Sequence, residues 1–174
     1  MYDKIIFLIL ILIISCSDPT NPDQEKLKLV ISSSNTSISQ NNFLVIDVSI
    51  ENATDLFAVS FDLMYESEFL SADSVSFNQI DGIFGTDVFT YHNLTNNDTI
   101  SISAGLTQTA TKDSVSGNGS ICQLYFTTMK TGTTNIDILK DVNNNYELKM
   151  INENGDNTIG YDELVITNAS IIIE

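Results

Sequence analysis

From Leu27 to the end of the chain, apolar and polar residues alternate in short runs, separated by clusters of Asn, Asp, Gly and Ser. Residues 43–51 show the pattern clearly, because their apolar residues fall on one side of an extended chain and their polar residues on the other. A period of two predicts β-strands with one buried face, and no segment of useful length in this region has a helical period. The pattern therefore predicts an all-β domain.

We expect strands at residues 27–32, 43–51, 56–65, 71–77, 87–93, 99–106, 120–130, 133–140 and 164–174. Each of these nine strands is apolar on one side only, and such strands bury that side when two sheets pack face to face. The sequence therefore predicts a single nine-stranded antiparallel β-sandwich over residues 27–174. One helical turn is expected at residues 66–70, and a hairpin turn at residues 152–157.

The chain carries 7 Lys, no Arg and 23 Asp or Glu residues, which gives a formal net charge of −16. Affinity for nucleic acids depends on cationic side chains that release counterions from phosphates, so this composition excludes a nucleic-acid partner. Adsorption to an anionic membrane through a basic patch is excluded for the same reason. A basic protein partner, in contrast, would be attracted by this charge.

The first 15 residues have the features of an export signal. Lys4 supplies a positive charge, and residues 5–14 are ten consecutive apolar residues. Ten helical residues span about 15 Å, half of a membrane core, so the segment is too short to be a membrane-spanning anchor. It ends in Ile13-Ile14-Ser15-Cys16, which resembles the lipobox of bacterial lipoproteins.

The lipobox resemblance implies that residues 1–15 are removed and that the Cys16 thiol carries a diacylglyceryl group. Residues 16–26 would then be the lipidated cysteine and a flexible polar tether, which holds both prolines of the chain. This predicts an exported lipoprotein, anchored to the cell envelope at the outer membrane or cell surface through its N-terminal lipid. The alternative is an ordinary cleaved signal with a chance cysteine.

Four segments, at residues 57–70, 99–106, 116–126 and 168–173, resemble segments of the bacterial cohesin domain of cellulosomes in their order and spacing. The resemblance implies a nine-stranded jelly-roll sandwich that is related to carbohydrate-binding modules. It also implies a non-catalytic receptor for a dockerin, a small calcium-loaded helical module that secreted enzymes carry. The expected function is therefore to bind a dockerin-like protein partner, within a polysaccharide-degrading system.

The cohesin resemblance also implies which residues face the partner. Matched by position, the outward residues are Ala58, Ser60, Asp62, Tyr91, Ser101, Ser103 and Asp137. In well-known cohesins, the positions that match Ala58 and Ser60 hold an Asn and an Asp, and this chain has neither. Two polar contacts of the standard mode of dockerin recognition are therefore missing at these positions, while the fold is unaffected.

The sequence predicts no catalytic residue. A Ser–His–Asp arrangement would have to use His92, the only histidine, and no Ser lies in the glycine pattern of a nucleophile elbow. Among 23 acidic residues, none stands out as a member of the carboxylate pair that glycoside hydrolysis needs. We expect His92 at the surface of a strand. Cys122 has the same phase as Leu124 and Phe126, which places it in the core.

Asn152, Asn154, Asp156 and Glu163 have the spacing of oxygen ligands in an EF-type calcium loop. The sixth position of this loop is Asn157 instead of Gly, and residues 149–151 and 164–167 resemble strands, not the helices of an EF-hand. A hairpin turn explains the same residues. Calcium is therefore an alternative to a plain turn at this position, and no other cofactor is expected.

A glycan-binding module of a surface uptake system is the second function that the sequence allows. Modules of this fold bind polysaccharides with rows of exposed aromatic rings, since sugar faces stack on them. The chain has no Trp, and Tyr91, Tyr146 and Tyr161 are the candidate surface rings, with no row in their spacing. Two further alternatives remain: the chain binds a soluble glycan through hydrogen bonds from Asp and Asn side chains, or it acts as a structural spacer.

Overall fold

The computed structural model describes residues 25–96, 98–110, 113–139, 148–156 and 164–174. These residues form twelve β-strands and no helix, which confirms the predicted all-β class. The strands are β1 (Lys28–Ser33), β2 (Ser37–Ile38), β3 (Phe43–Leu56), β4 (Ala58–Tyr65), β5 (Leu70–Ser76), β6 (Val88–Asn96), β7 (Thr99–Leu106), β8 (Val115–Thr128), β9 (Gly132–Ile138), β10 (Lys149–Ile151), β11 (Val165–Thr167) and β12 (Ala169–Ile173). No apolar helix long enough to cross a bilayer occurs among these residues.

The strands form two sheets that pack face to face. One sheet has five strands, in the order β11-β1-β3-β8-β5. The other has seven strands, in the order β2-β12-β9-β4-β7-β6, with β10 also paired to β4. The predicted β-sandwich is therefore confirmed, and its two sheets leave two outer faces for contact with other molecules.

The predicted number of nine strands is wrong for the described part of the chain. The last predicted strand, residues 164–174, is divided at Asn168 into β11 and β12, which belong to different sheets. The side-chain oxygen of Asn168 accepts a hydrogen bond from the Ile138 backbone N–H at 3.2 Å. The other additions are the two-residue β2, which is too short to carry a readable period, and the three-residue β10, whose residues resemble a strand in the sequence but were not counted among the nine.

The sandwich is also not entirely antiparallel. β11 pairs with β1 in parallel, and β12 pairs with β2 in parallel, while all other strand pairs are antiparallel among the described residues. Both parallel pairs involve the divided final segment. The prediction failed here because alternation fixes which side of a strand is buried but not the direction of its neighbour.

β3 runs to Leu56, five residues past its predicted end, because β-bulges carry it through a segment without alternation. Asn52 and Asp55 have positive φ values of 58° and 56°. Side chains of β8 satisfy the backbone N–H groups there. The Asn118 side-chain oxygen accepts a hydrogen bond from the Asn52 N–H, and the Ser116 hydroxyl oxygen accepts one from the Asp55 N–H. The bulges bend β3 and β8 together while keeping their backbone groups paired.

The core lies between the two sheets and consists of the inward residues of the alternating strands. Phe61, from the seven-stranded sheet, and Phe126, from the five-stranded sheet, are among its largest fully buried side chains. The Tyr65 and Phe126 rings meet edge to face with centroids 5.3 Å apart. After Tyr65, one helical turn forms as predicted, with the Leu70 N–H bonded to the Glu66 carbonyl at 3.0 Å.

Candidate partner-binding face

The outer face of the seven-stranded sheet brings together the residues that the sequence predicted for partner binding. They lie on four strands: Ala58, Ser60 and Asp62 on β4, Ser101 and Ser103 on β7, Tyr91 on β6, and Asp137 on β9. On β4, β7 and β9 these positions alternate with buried residues, and Tyr91 pairs directly with Ser103. All seven side chains therefore point away from the core, on one continuous face.

Rows of side chains cross this face from β6 towards β9 and β10, and their character changes from apolar to acidic. In order, the rows are Phe89-Gly105-Ala58-Ile151, Tyr91-Ser103-Ser60-Lys149, Asn93-Ser101-Asp62 and Thr99-Met64-Asp137. Consecutive rows are two residues apart along β4, or about 7 Å. The face therefore has two chemically different ends.

β4 forms the centre of this face and has no open edge along most of its length. β7 pairs with it from Ala58 to Met64, while β10 and β9 pair with parts of its other side. Between those two, the Asp62 carbonyl accepts a hydrogen bond from the Leu139 N–H at 2.9 Å. A partner therefore cannot add a strand beside β4 and must contact its side chains.

At the apolar end, the face contains a pocket of about 540 Å³, which we call the apolar pocket. Phe57, Ala58, Phe89 and Ile151 are among its lining residues. Phe89 leaves 59% of its surface exposed. A Cβ atom added at Gly105 would lie 2.5 Å from the Ala58 Cβ, so the glycine lets β4 and β7 approach closely beneath the pocket. The volume suits one or two apolar side chains of a partner.

At the other end of the face lies a cleft of about 400 Å³ whose lining includes Tyr65, Glu66, Ser67, Asp98 and Asp137. Hydrogen bonds from the Ser67 side chain and backbone lower the pKa of Asp98. Burial, together with the negative charge of Asp98, raises the pKa of Tyr65, so this phenol stays neutral at physiological pH. We call Asp62, Glu66, Asp98 and Asp137 the acidic end, since these four residues place their carboxyl groups in this region.

No protein-family model matches the sequence, and no curated protein resembles it significantly. Solved structures do match the fold. A type II cohesin domain from the cellulosome of Acetivibrio cellulolyticus superposes with a TM-score of 0.67 at 14% identity, covering 84% of this chain and 95% of that chain. The fold is that of a cohesin domain.

Other cohesins give the same result. A non-cellulosomal cohesin from the archaeon Archaeoglobus fulgidus has a TM-score of 0.64 and 15% identity, covering 86% of this chain and 91% of that chain. A cohesin in a type I cohesin–dockerin complex from Clostridium thermocellum has a TM-score of 0.63 and 13% identity, and the match covers 86% of this chain and 99% of that chain. At these identities the likeness is one of fold, and the predicted cohesin-type sandwich is confirmed at that level.

The residues of this face that the sequence analysis missed include Phe89, Lys149 and Ile151. Phe89 has the phase of Tyr91 and could have been found from that alternation alone. Lys149 and Ile151 were missed because β10 is only three residues long and reaches the face by pairing with β4, far away in sequence. Such pairing leaves no local signal in the sequence.

Neither of the two side chains with nucleophilic or acid–base chemistry that we singled out belongs to this face. His92 is exposed on β6, as predicted, and its ring lies 6.0 Å from the Phe77 ring. Cys122 is fully buried in β8, which confirms its predicted core position. Burial, with a smaller contribution from Asp47, raises the pKa of the Cys122 thiol to about 12, so it stays protonated and unreactive.

The candidate calcium loop forms a tight turn in the part that the structure describes. The Asn152 side-chain oxygen accepts hydrogen bonds from the backbone N–H groups of Asn154 and Asp156, at 3.0 and 2.9 Å. These bonds account for Asn152 without a metal ion, while Glu163 lies outside the described residues. Within those residues, no three His, Cys, Asp or Glu side chains are grouped so that they could hold a metal. Cys16, Tyr146 and Tyr161 also lie outside the described residues.

Proposed function

We propose that this chain is a non-catalytic surface lipoprotein whose cohesin-like module docks a protein partner of the dockerin type. The partner would bind the outer face of the seven-stranded sheet. The observation that carries the proposal is this face: a central strand that is paired on both sides along most of its length and carries small side chains, bordered by exposed aromatic rings and a pocket. Support also comes from the fold, since structures that share it include a cohesin in complex with a dockerin.

The face is suited to docking because it is preformed. Ser60 and Ser103 form a hydrogen bond through their hydroxyl groups at 2.8 Å, which fixes these two side chains at the centre of the face. Phe89 and Tyr91 remain 59% and 51% exposed beside this centre, and aromatic side chains are enriched among the residues that contribute most to interface affinity. The net charge of −16 would accelerate the approach of a basic partner.

We further propose that Cys16 carries the lipid that holds the exported chain at the cell envelope, within a polysaccharide-degrading system. Residues 17–26 would give the module freedom to reach its partner. Expression of the full chain in a bacterial host with radiolabelled palmitate tests the lipid. The wild-type chain should take up label and fractionate with membranes, and the Cys16→Ala variant should do neither. Equal labelling of both chains would contradict lipidation at Cys16.

The docking proposal is tested by calorimetric titration of the full chain with dockerin modules encoded in the same genome. Ser60→Arg and Asp62→Arg place a long cation on the face and should lower affinity at least a hundredfold. Ser71→Arg and Asp73→Arg, at exposed positions of β5 in the other sheet, are matched controls and should change affinity less than twofold. Binding that tolerates both face variants would exclude this face as the site.

A glycan-binding function is the second candidate, because the structure places two exposed rings side by side. Phe89 and Tyr91 lie two residues apart on β6, about 7 Å from each other along the strand. Rings at this spacing can stack on neighbouring sugars. A glycan array with Phe89→Ala and Tyr91→Ala tests this function. Glycan binding that both variants abolish would favour it, while a chain that binds neither glycans nor proteins would be a spacer.

A further inference from the structure

β6 is an edge strand of the seven-stranded sheet, and β7 is its only neighbour among the described strands of that sheet. The Thr107 N–H, just after β7, donates to the Asp87 carbonyl, just before β6, at 2.9 Å. Every second residue of β6 from there, including Tyr91, thus bonds to β7, while the N–H and C=O groups of Thr90 and His92 point away from it. The edge of β6 therefore offers donors and acceptors to a further strand.

The other sheet edges in the described part of the chain are protected against such pairing. β2 and β11 have only two and three residues, and β5 has a bulge at the charged Asp73. Residues 88–93 of β6, in contrast, include no Asp, Glu, Lys, Arg, Pro or Gly, and the bulge of β6 begins only after Asn93. A strand that approaches this edge meets neither a charged side chain of β6 nor an irregular backbone.

The connection from β5 to β6 leaves this edge open. Gly82 forms a bridge with Ser120 of β8, and the Ile83 N–H donates to the Ser120 carbonyl at 2.9 Å. The connection therefore continues in the line of β5, beside β8. Phe77 packs against the inner side of β6, with its ring 6.0 Å from the His92 ring. Neither segment lies beside the outer backbone of β6.

The charge of the chain narrows the choice of a strand for this edge. Two copies with a net charge of −16 repel each other, but residues 88–93 bring no carboxylate to a contact between them. The polar tether, residues 17–26, is a poorer occupant. Pro19 and Pro22 have opposite phases in an extended segment, so one of them would stand where an N–H must bond to β6. A second β6 meets neither obstacle.

β6 is also complementary to itself in one register. Antiparallel pairing around Thr90 sets Phe89 of each copy opposite Tyr91 of the other, and it uses only residues 88–92, before the bulge. Aromatic pairs across antiparallel strands are stabilising, and this register contains two of them. Pairing around Tyr91 would instead set Phe89 opposite Asn93 and extend into the bulge. The register around Thr90 is therefore the favoured one.

We propose that two copies of this chain pair edge to edge through β6, around a two-fold axis at Thr90, and join their seven-stranded sheets into one. The axis is perpendicular to the sheet, so the outer faces of both copies point the same way. Phe89 and Tyr91 of the two copies form one patch of four rings, and β4 lies two strands away from the contact. The dimer thus presents two open faces on one side, and its formation does not depend on the proposed function.

Sedimentation velocity of the full chain in a non-ionic detergent tests the dimer, with Cys16→Ser to prevent lipidation. The chain should become dimeric below about 0.1 mM. Thr90→Pro removes an N–H from the outer edge and leaves the bonds to β7, so it should raise the dissociation constant at least tenfold. Thr90→Val keeps the N–H and should change it less than threefold. Circular dichroism checks that both variants fold. A chain that stays monomeric, or a folded Thr90→Pro variant that dimerises normally, overturns the proposal.

Cysteine cross-linking tests the register independently of the proline variant. Phe89→Cys and Tyr91→Cys, mixed and oxidised with copper phenanthroline, should form a disulfide-linked dimer, because non-hydrogen-bonded cross-strand pairs have Cα atoms about 4.5 Å apart. Each variant alone should give at least tenfold less dimer. Ser71→Cys, at an exposed position of β5, is the control and should cross-link with neither variant.

The other occupants of the edge give different products. A dimer from Tyr91→Cys alone, or none from the mixture, overturns the register around Thr90. Addition of Thr20→Cys to the Tyr91→Cys chain tests the tether. A disulfide within one chain would assign the edge to the tether and overturn the dimer. The buried and protonated Cys122 does not compete in these reactions.

Discussion

The outer faces of the two sheets use their polar side chains in different ways. On the five-stranded sheet, the Tyr125 hydroxyl donates to the Gln123 side chain at 2.9 Å, and Gln123 donates to Asp47 at 2.7 Å. Lys28 and Glu51 form an ion pair on the same side, at 3.1 Å. Long polar side chains on this face thus bind each other within β8 and between neighbouring strands.

The seven-stranded sheet has a different surface. Its centre carries the short side chains of Ser60 and Ser103, and exposed Phe89, Tyr91 and Met64 surround them. Polar groups that are already paired must be separated before a partner can use them, while exposed apolar side chains gain by being covered. The comparison therefore favours the outer face of the seven-stranded sheet, over that of the five-stranded sheet, as the proposed docking face.

The largest expected effect concerns the inner side of the five-stranded sheet, where Cys122 has a pKa of about 12. In the unfolded chain its thiol ionises near pH 9, so the unfolded state releases a proton that the folded state retains. The contribution of Cys122 to the free energy of unfolding is complete below pH 9 and falls as pH rises towards 12. The loss is about 1.4 kcal/mol per pH unit, or roughly 3 kcal/mol at pH 11.

Urea denaturation of the wild-type chain and Cys122→Ala between pH 8 and 11 measures this loss. The variant is less stable at pH 8 because it loses buried volume, but its stability should fall less steeply with pH. Lysine and tyrosine titration affects both chains equally, so the difference between their slopes isolates the thiol. Two parallel curves would mean that water reaches Cys122 and that the five-stranded sheet is less tightly closed than the comparison requires.

The next effect tests how closely the strands approach beneath the partner-binding face. Gly105→Ala would put a Cβ atom 2.5 Å from the Ala58 Cβ and 3.0 Å from the Phe57 carbonyl oxygen. We expect the free energy of unfolding to fall by about 2 kcal/mol. Adding Ala58→Gly exchanges the two side chains across the strand pair and should recover at least half of the loss in thermal denaturation. Ser101→Ala, two rows away on the same face, is the control, and it should change the free energy of unfolding by less than about 0.5 kcal/mol.

A smaller effect is expected on the outer face of the five-stranded sheet. Asp47→Ala leaves the half-buried Gln123 amide without its acceptor and should cost about 1.5 kcal/mol in chemical denaturation. Ser49→Ala, on the same strand and face, should cost less than about 0.5 kcal/mol. If the two variants are equally stable, the side-chain network does not hold this face, and the contrast with the seven-stranded sheet is lost.

The alternation of residues was enough to predict the fold class and the orientation of β4 and β7. It placed Ser60 and Asp62 outward and Phe61 inward because a period of two leaves one choice of buried side. It failed at residues 52–56, where positive φ values at Asn52 and Asp55 break the period without ending the strand. A bulge depends on side chains of the opposite strand, and local sequence does not show them.

The candidate face was predictable only in part for the same reason. Outward residues of each strand follow from its own phase, whereas the rows across the face follow from which strands are neighbours. The pairing of β10 with β4 brings Lys149 next to Ser60, although 89 positions separate them in the sequence. The pocket and the change from apolar to acidic character are therefore properties of the sheet order, which alternation leaves open.

The smallest expected effect compares one buried threonine from each sheet. Thr128, in the five-stranded sheet, accepts a hydrogen bond from the Asn42 N–H and lies within hydrogen-bond distance of the Ser39 and Asn42 carbonyls. Thr134, in β9 of the other sheet, is equally buried, and its hydroxyl has no hydrogen-bond partner within the described part of the chain. Thr134→Val should therefore raise the free energy of unfolding by about 1 kcal/mol, since it removes an unpaired polar group at nearly constant volume.

Thr128→Val is the matched control, and it should lower the stability, because it leaves the Asn42 N–H without its acceptor. Urea denaturation at pH 7 measures both variants. If the sheets differ as described, the free energy of unfolding rises in Thr134→Val and falls in Thr128→Val. A loss in both would mean that the Thr134 hydroxyl is satisfied in solution, for instance by a buried water. The two buried threonines would then both be satisfied, and the difference between the sheets would be confined to their outer faces.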